Sequence, residues 1–456
     1  MIIQFYNRRE ELDKISRYLD RAGFDLIIIY GRRRIGKTTL ILEATKKKER
    51  IYYMAIDKNN LKSFHEQCSK KFPEIRRLKE DWEIIFDYIK DKIDVVIIDE
   101  FQNLIREDKS VISIFQRIVD SYLQNSNLKL VLLGSTISVM TSKVLSYRSP
   151  LYGRKSLSLN LKPVKFACLK EFFPSKNIKE LIEIYGFADG IPFYLAKIDK
   201  DINFWEWLKH EIEERSFILD EVDFLMRYEF ADVGTYKAIL QAISFGKTKI
   251  NEIKDFTGLK RTDITPYLRN LIEVGFVIKE TPIFDKPKSK KGVYLLSDNF
   301  LTFWFRYIYP NISPIEEGIF DISLIKHDYK SYLGAIFEKI CKEAIIELIK
   351  QKEIPWFTKI GKQWGRFSKK KKTYEIDIVA VNEKTREILF AECKWRDNVD
   401  ANKICRELLE KSRISKEKKE YFCIFARNFK KKIEEFEGRR VYCFDLNDLE
   451  RIFGIE

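Results

Sequence analysis

Three stretches in the first third of the chain are apolar almost without a break: LIIIY at 26–30, VVII at 95–98 and KLVLLG at 129–134. A strand covered on both faces reads this way, because neither face needs polar side chains. Between them, apolar residues recur every three to four positions in LKSFHEQCSKKF (61–72), WEIIFDYIK (82–90) and VISIFQRIVDSYL (111–123). That spacing puts them on one side of a helix. Strands alternating with helices predict an α/β fold with a doubly wound parallel sheet over residues 1–160.

The pattern then changes. TYKAILQAISFG, KINEIKDFTG and ITPYLRNLIEVGFV, between 235 and 277, read as three helices divided by glycines. FVIKETPIF and GVYLLS flank the basic KPKSKKG and read as a hairpin. Three helices and a hairpin predict a winged helix over 231–312, after a helical lid over 161–230. SDNFLTFWFRYIYPN (297–311) mixes aromatic with aliphatic residues and reads as packing between domains. Beyond it, YLGAIFEKICKEAIIELIK (332–350) is helical in spacing, EIDIVAV (375–381) alternates like a strand, and ILFAECKW (388–395) is a buried strand ending in charge. These predict a further α/β domain over 325–456.

The chain has 456 residues, too many for one core. It is 34% charged with a formal net charge of +15. A basic surface favours a polyanionic partner, nucleic acid before an anionic membrane; dense charge also serves stability, and net charge does not choose. Seven cysteines include no C-x-x-C pair, which leaves no zinc or redox motif and suits a reducing compartment. The first residues carry charge where a signal peptide needs an apolar core, and no apolar run is long enough to span a membrane. A cytoplasmic protein is expected, with no membrane partner.

The first apolar strand enters Gly31-Arg32-Arg33-Arg34-Ile35-Gly36-Lys37-Thr38-Thr39, the Gly-x-x-x-x-Gly-Lys-Thr pattern. Glycines let backbone N–H groups curl around phosphates, Lys37 reaches the outer phosphates, and the Thr38 hydroxyl suits Mg²⁺. The second strand ends in Asp99 and Glu100, an acid for the metal and one for the attacking water. Ser135 and Thr136 after the third strand are γ-phosphate sensors or helix-capping residues.

FYNRREELDKI, YGRRRIGKTTL, VVIIDEFQNL, LLGST, SPLYGR and DGIPFYL follow one another over residues 1 to about 200. In this order they resemble the archaeal ATPase family, related to the STAND and Orc-like P-loop ATPases. The resemblance implies ATP and Mg²⁺ as cofactors, Arg8 and Glu10 near the adenine, and a lid element at Gly190-Ile191-Pro192 with Pro192 at the nucleotide. Arg154 is either an arginine finger or a surface arginine.

In the winged helix, Lys260, Arg261, Thr262 and Arg269 are placed toward DNA, with Lys286, Lys288, Lys290 and Lys291 in the wing. The alternative is a module that packs on its own chain or on a second copy, so a homo-oligomer is compatible with it. In the last domain, Asp377 on one strand and Glu392-x-Lys394 on the next suit metal-dependent phosphodiester cleavage. Asp377 and Glu392 bind Mg²⁺, Lys394 stabilises developing charge, and Glu338 completes the metal shell. This constellation resembles the PD-(D/E)XK nucleases, restriction-endonuclease-like in fold and close to archaeal Holliday-junction resolvases. The proline of that name is absent, since Tyr374-Glu375-Ile376 precedes Asp377. The alternative is an inert ion pair. Together these imply an ATPase acting on nucleic acid, DNA first; the alternatives are a STAND-type switch with an inactive nuclease module, or a transcription regulator.

Overall fold

The computed structural model describes residues 8–230, 232–286, 289, 291–367, 372–413 and 419–455. The chain forms two units: Met1–Val164 with Ile191–Ala196 and Glu273–Gly275, and the remainder.

The first unit is built on five parallel strands, β1 (Asp25–Tyr30), β2 (Arg50–Met54), β3 (Val95–Asp99), β4 (Lys129–Gly134) and β5 (Lys155–Asn160). They lie in the order β2-β3-β4-β1-β5. The three apolar runs are the three inner strands. Successive side chains on a strand point to opposite faces, and β1 divides accordingly. Leu26 and Ile28 join a core with Phe86 and Phe115, while Ile27 and Ile29 join one with Ile15 and Leu40. Full burial of each contributes roughly 1.5–3 kcal/mol. The expected helices form at Asn60–Lys71, Trp82–Ile89 and Val111–Ile118. Of the edge strands, β2 (RIYYM) alternates in exposure and β5 (KSLSLN) is half-exposed along its length, and neither carries an apolar run to announce it.

In the second unit the helices Ile178–Ala188, Phe204–Glu213 and Phe217–Glu229 close around buried aromatics. Phe300, Phe303 and Trp304 are fully buried, and the Trp304 indole N–H donates to the Ile218 carbonyl at 2.7 Å. The helix Ser323–Lys350 packs there too, with the Tyr329 and Tyr332 hydroxyls on the Glu183 and Gly186 carbonyls at 2.7 Å. Helices Gly234–Ser244, Ile250–Thr257 and Thr265–Glu273 precede the antiparallel hairpin of β6 (Val277–Glu280) and β7 (Val293–Leu296).

The chain then forms β8 (Lys359–Arg366), β9 (Thr373–Asn382), β10 (Glu387–Lys394), β11 (Val399–Asp400), β12 (Lys419–Ala426), β13 (Phe429–Lys431), β14 (Glu435–Phe436) and β15 (Arg439–Phe444). Six of them make a mixed sheet, β14-β15-β12-β10-β9-β8, while β11 pairs with β13. The hairpin loop docks on this sheet. The Ile283 N–H donates to the Lys362 carbonyl at 2.9 Å, and Ile283 is buried in the same core as Val379 and Phe390. Gly361 leaves the space, because a Cβ there would lie 3.3 Å from that of Ile283. Helical region, hairpin segment and mixed sheet therefore share one unit, where the sequence pattern divides them at 230 and 312.

Candidate functional site

In the first unit the chain turns sharply out of β1. Gly31 has φ +152°, and a Cβ there would run into the Leu161 carbonyl. Arg34 at φ +71° and Gly36 at φ +85° complete the curl, a conformation glycine adopts without strain. Ile35 points into the core, and the Arg8 guanidinium clamps its carbonyl at 3.0 Å and that of Lys162 at 2.7 Å. Arg8 thus braces the loop, while Glu10 is exposed. Lys37 is buried and donates to the Gly31 and Arg32 carbonyls at 2.9 and 3.0 Å. Burial pulls its ammonium down to about 8, against the opposing pull of Glu100 and Asp99 and with help from Arg33. Arg32, Thr38 and Thr39 are half-buried.

The Thr38 hydroxyl donates to Asp99 Oδ2 at 2.6 Å, and the Tyr52 hydroxyl to the same oxygen at 2.9 Å. Burial and the Asp99 charge push the Tyr52 phenol up, so it stays a donor. Glu100 sits at φ +52°. Its Oε2 accepts from the Ser135 hydroxyl at 2.6 Å and from the Gln102 amide, and its Oε1 lies 3.6 Å from Arg33 Nη2. The Thr136 hydroxyl is buried and meets no hydrogen-bond partner among the described residues. The Phe193 ring lies under the Arg34 guanidinium at 4.0 Å, and the neighbouring Pro192 ring faces Gly36. Arg154 is gripped by Asp120 at 2.5 and 2.6 Å. Tyr52 and Gln102 escaped the sequence reading: sheet pairing brings Tyr52 to Asp99, and Gln102 turns back onto Glu100 at the start of the helix Gln102–Glu107.

In the second unit β9 and β10 run antiparallel with Ile378 opposite Ala391, which sets Asp377 beside Glu392. Asp377 Oδ2 accepts the Cys393 N–H at 2.8 Å and lies 3.6 Å from the Lys394 ammonium, which also bonds Glu392. The other oxygen of Glu392 accepts from Lys411 at 2.5 Å, and Glu392 is 1% exposed. Lys411, on the helix Ala401–Ser412, was not legible as part of this cluster. Neither was Lys362, which sits in a bulge of β8 between Gly361 and Gln363. A bulge re-aims a side chain, and Lys362 reaches Glu338 at 3.0 Å and Glu375 at 2.6 Å.

Burial raises the Asp377 carboxyl, and the Glu392 charge raises it further. Burial pushes Glu338 up to about 7, with Lys362 opposing and Asp377 adding to the rise. Burial works to lower Lys394, but Glu392 and Asp377 overcome it and raise the group. Among the described residues no three His, Cys, Asp or Glu side chains are grouped to hold one ion. Glu338 is matched to Lys362, and Asp377 and Glu392 remain as an adjacent pair of carboxylates. Mg²⁺ ordinarily takes one or two carboxylates from protein and keeps its waters.

Lys260 and Arg261 are exposed in the turn before the helix Thr265–Glu273 and Arg269 is exposed on that helix, with Thr262 half-exposed. Lys286 and Lys291 are exposed in the docked loop, where Lys291 pairs with Asp285 at 3.2 Å. Lys288 and Lys290 lie outside the described residues. Among the described residues no helix is long and apolar enough to cross a membrane.

Comparison with known proteins bears on both units. A family model described as "ATPase domain predominantly from Archaea" matches residues 5–198. A second, described as "Archaea bacterial proteins of unknown function", matches 304–404. An uncharacterized protein of Methanocaldococcus jannaschii is 51% identical over 450 residues, 97% of this chain and 99% of its own. An uncharacterized ATP-binding protein of the same organism is 46% identical over 48 residues, 10% of this chain and 81% of that one. The Walker-type ATPase of Pyrococcus abyssi has a similar fold, with a TM-score of 0.50 and 22% identity over 66% of this chain and 96% of that one. With that phosphate loop, that family match and a relative spanning nearly its whole length, the chain belongs to the archaeal ATPase family.

Proposed function

We propose that the protein hydrolyses ATP at the 31–38 loop and acts on nucleic acid, DNA before RNA, through a winged helix and a nuclease-like domain. The observation that carries the second half is the cluster in the mixed sheet. An Asp on one strand meets a Glu-x-Lys on its antiparallel neighbour, and burial with mutual repulsion raises the Asp. Three antiparallel strands followed by a helix and parallel strands support the nuclease-like reading of that sheet.

At the phosphate loop, Thr38 and Asp99 are the hard oxygen donors that suit Mg²⁺, which when bound neutralises phosphate charge. Lys37 and the loop N–H groups hold the phosphates. Glu100 orients the attacking water and accepts its proton. Arg33, beside Glu100, brings a guanidinium to the transferring group, a place Arg154 does not take while Asp120 holds it. At the cluster, Asp377 and Glu392 suit a Mg²⁺ that polarises a phosphoryl oxygen when bound. Lys394 and Lys411 stabilise the charge that develops there.

Lys260, Arg261 and Arg269 form the exposed cationic face of the winged helix. Replacing all three with Ala lowers the slope of log affinity against log salt by about 2–3 if each meets a phosphate of duplex DNA. The decisive experiment incubates labelled duplex, branched and single-stranded DNA with the protein, ATP and Mg²⁺ or Mn²⁺. Cleavage that disappears in Asp377→Ala while ATP hydrolysis continues supports the proposal. If no substrate is cut, none is bound and none changes ATP turnover, it fails. One observation favours a second reading: Glu392 already has both oxygens on lysines, as in a binding module of a nucleotide-controlled switch. Nucleotide-dependent oligomerisation without DNA marks that case.

A further inference from the structure

Docking of the β6–β7 loop on β8 leaves a cleft of about 790 Å³ beside the loop. Among the described residues three aromatic side chains line it: Trp364, Phe367 and Tyr374, the last two with ring centroids 4.9 Å apart. Lys362, Glu375 and Lys411 line it too. These are the residues that tie Glu338 and Glu392 into the cluster, so cleft and cluster are continuous.

We infer that this cleft seats an unpaired stretch of polynucleotide, with its bases stacked on Trp364 and Tyr374 beside the Asp377–Glu392–Lys394 cluster. The inference rests on reading that cluster as a phosphodiester site. Three features select the ligand. The volume falls in the range of pockets that enclose a small ligand, roughly 300–1,000 Å³, which admits unpaired nucleotides more readily than a base-paired helix. The loop a wing would offer to duplex DNA is committed elsewhere, since Ile283 is in the sheet core and Lys291 gives its carbonyl to the Trp364 indole at 3.2 Å. Among the described residues the lining carries four lysines and four glutamates, a balanced set that gives a polyanion little net attraction. Aromatic stacking, which accepts any base, has to supply the affinity.

That charge balance gives the binding a signature. Single-strand affinity falls with salt by about 0.7 log units per log unit for each phosphate neutralised, so a stacking-dominated cleft has a shallow slope, below about 2. The test uses the full chain and fluorescein-labelled 15-nucleotide oligo-dT, oligo-U and duplex DNA, read by anisotropy in EDTA and in Mg²⁺. Trp364→Ala is expected to weaken single-strand binding about 5- to 150-fold, the loss of one stacked base. Trp364→Phe should retain most of it. Lys372→Glu, an exposed change on the cleft lining, should weaken it by a smaller factor without disturbing the fold. Photocrosslinking of an iodouracil oligonucleotide should land on Trp364 or Tyr374. An unchanged circular-dichroism spectrum and melting temperature report that each variant is folded. If single strands bind but Trp364→Ala and Lys372→Glu leave affinity unchanged, or if duplex is preferred and displaces single strand, the cleft inference is wrong while the nucleic-acid reading stands. If no polynucleotide of any form binds the wild-type chain, that reading falls and the inference with it.

Discussion

Lys37 and Lys394 are both withdrawn from water, and their ammonium groups shift in opposite directions. Lys37 drops to about 8, because burial dominates and its direct partners are the neutral carbonyls of Gly31 and Arg32. Lys394 rises, because Glu392 and Asp377 outweigh the effect of burial. The phosphate loop thus holds an under-compensated cation in a cradle of backbone, which a triphosphate completes. The cluster in the mixed sheet is already compensated: Glu338, Glu375, Asp377 and Glu392 face Lys362, Lys394 and Lys411. One site gains charge complementarity by binding an anion. To take a metal ion, the other would have to give up a protein cation for it, since a buried carboxylate is costly without a partner.

The largest effect expected from that contrast is at Glu100. Glu100→Gln should lower kcat for ATP about 10²- to 10⁴-fold, the usual contribution of a positioned general base, with nucleotide affinity nearly unchanged by titration calorimetry. Equal loss of both would assign Glu100 to binding. Next, Lys37→Ala should cost about 2–5 kcal/mol of ATP affinity, as truncation of a buried charge partner does; an unchanged dissociation constant would break the comparison at its first term.

At the cluster the scale is smaller. Glu338 rises from 4.5 to about 7, so the folded state holds its proton more tightly than the unfolded chain does. Its contribution is full below pH 4.5 and is lost as pH rises through about 7. Glu338→Gln should remove at most about 3 kcal/mol of that pH dependence, seen as a flatter melting temperature between pH 5 and 8. Lys411→Met should destabilise by about 1–3 kcal/mol, because one oxygen of a buried carboxylate loses its donor. Mg²⁺ should then raise the melting temperature more in this variant than in the wild type; an identical response would argue that Glu392 never meets a metal. The smallest effect sharpens the other side. Above about pH 8, ATP affinity should fall roughly tenfold per pH unit as Lys37 loses its proton, with proton uptake on binding in calorimetry across buffers.

Features that depend on adjacent residues were legible in the chain. LIIIY followed by Gly-x-x-x-x-Gly-Lys-Thr, VVIIDE, and the Asp377 and Glu392-x-Lys394 strands carry their own periodicity and their own chemistry. What escaped depends on distant partners. The edge strands β2 and β5 are short and carry no apolar run, so they do not stand out. Tyr52 is ordinary until the sheet sets it against Asp99. Lys411 is one lysine among many until the helix Ala401–Ser412 folds over Glu392. The basic hairpin loop looked like a wing extended to DNA, and nothing local marks Ile283 as a residue of the sheet core.

That docked loop also bears on solubility. β8 is an edge strand, and an open edge is a template for pairing with another chain. Here the edge is bulged at Lys362, and the Lys362 carbonyl is taken by Ile283. A fragment beginning at residue 325 would lose Ile283, open a void beside Gly361 and uncover that edge. The hairpin therefore works as a guard against strand-to-strand aggregation, and an excised sheet domain should stay soluble only if residues 277–296 travel with it or Ile283 is replaced in trans by a short peptide.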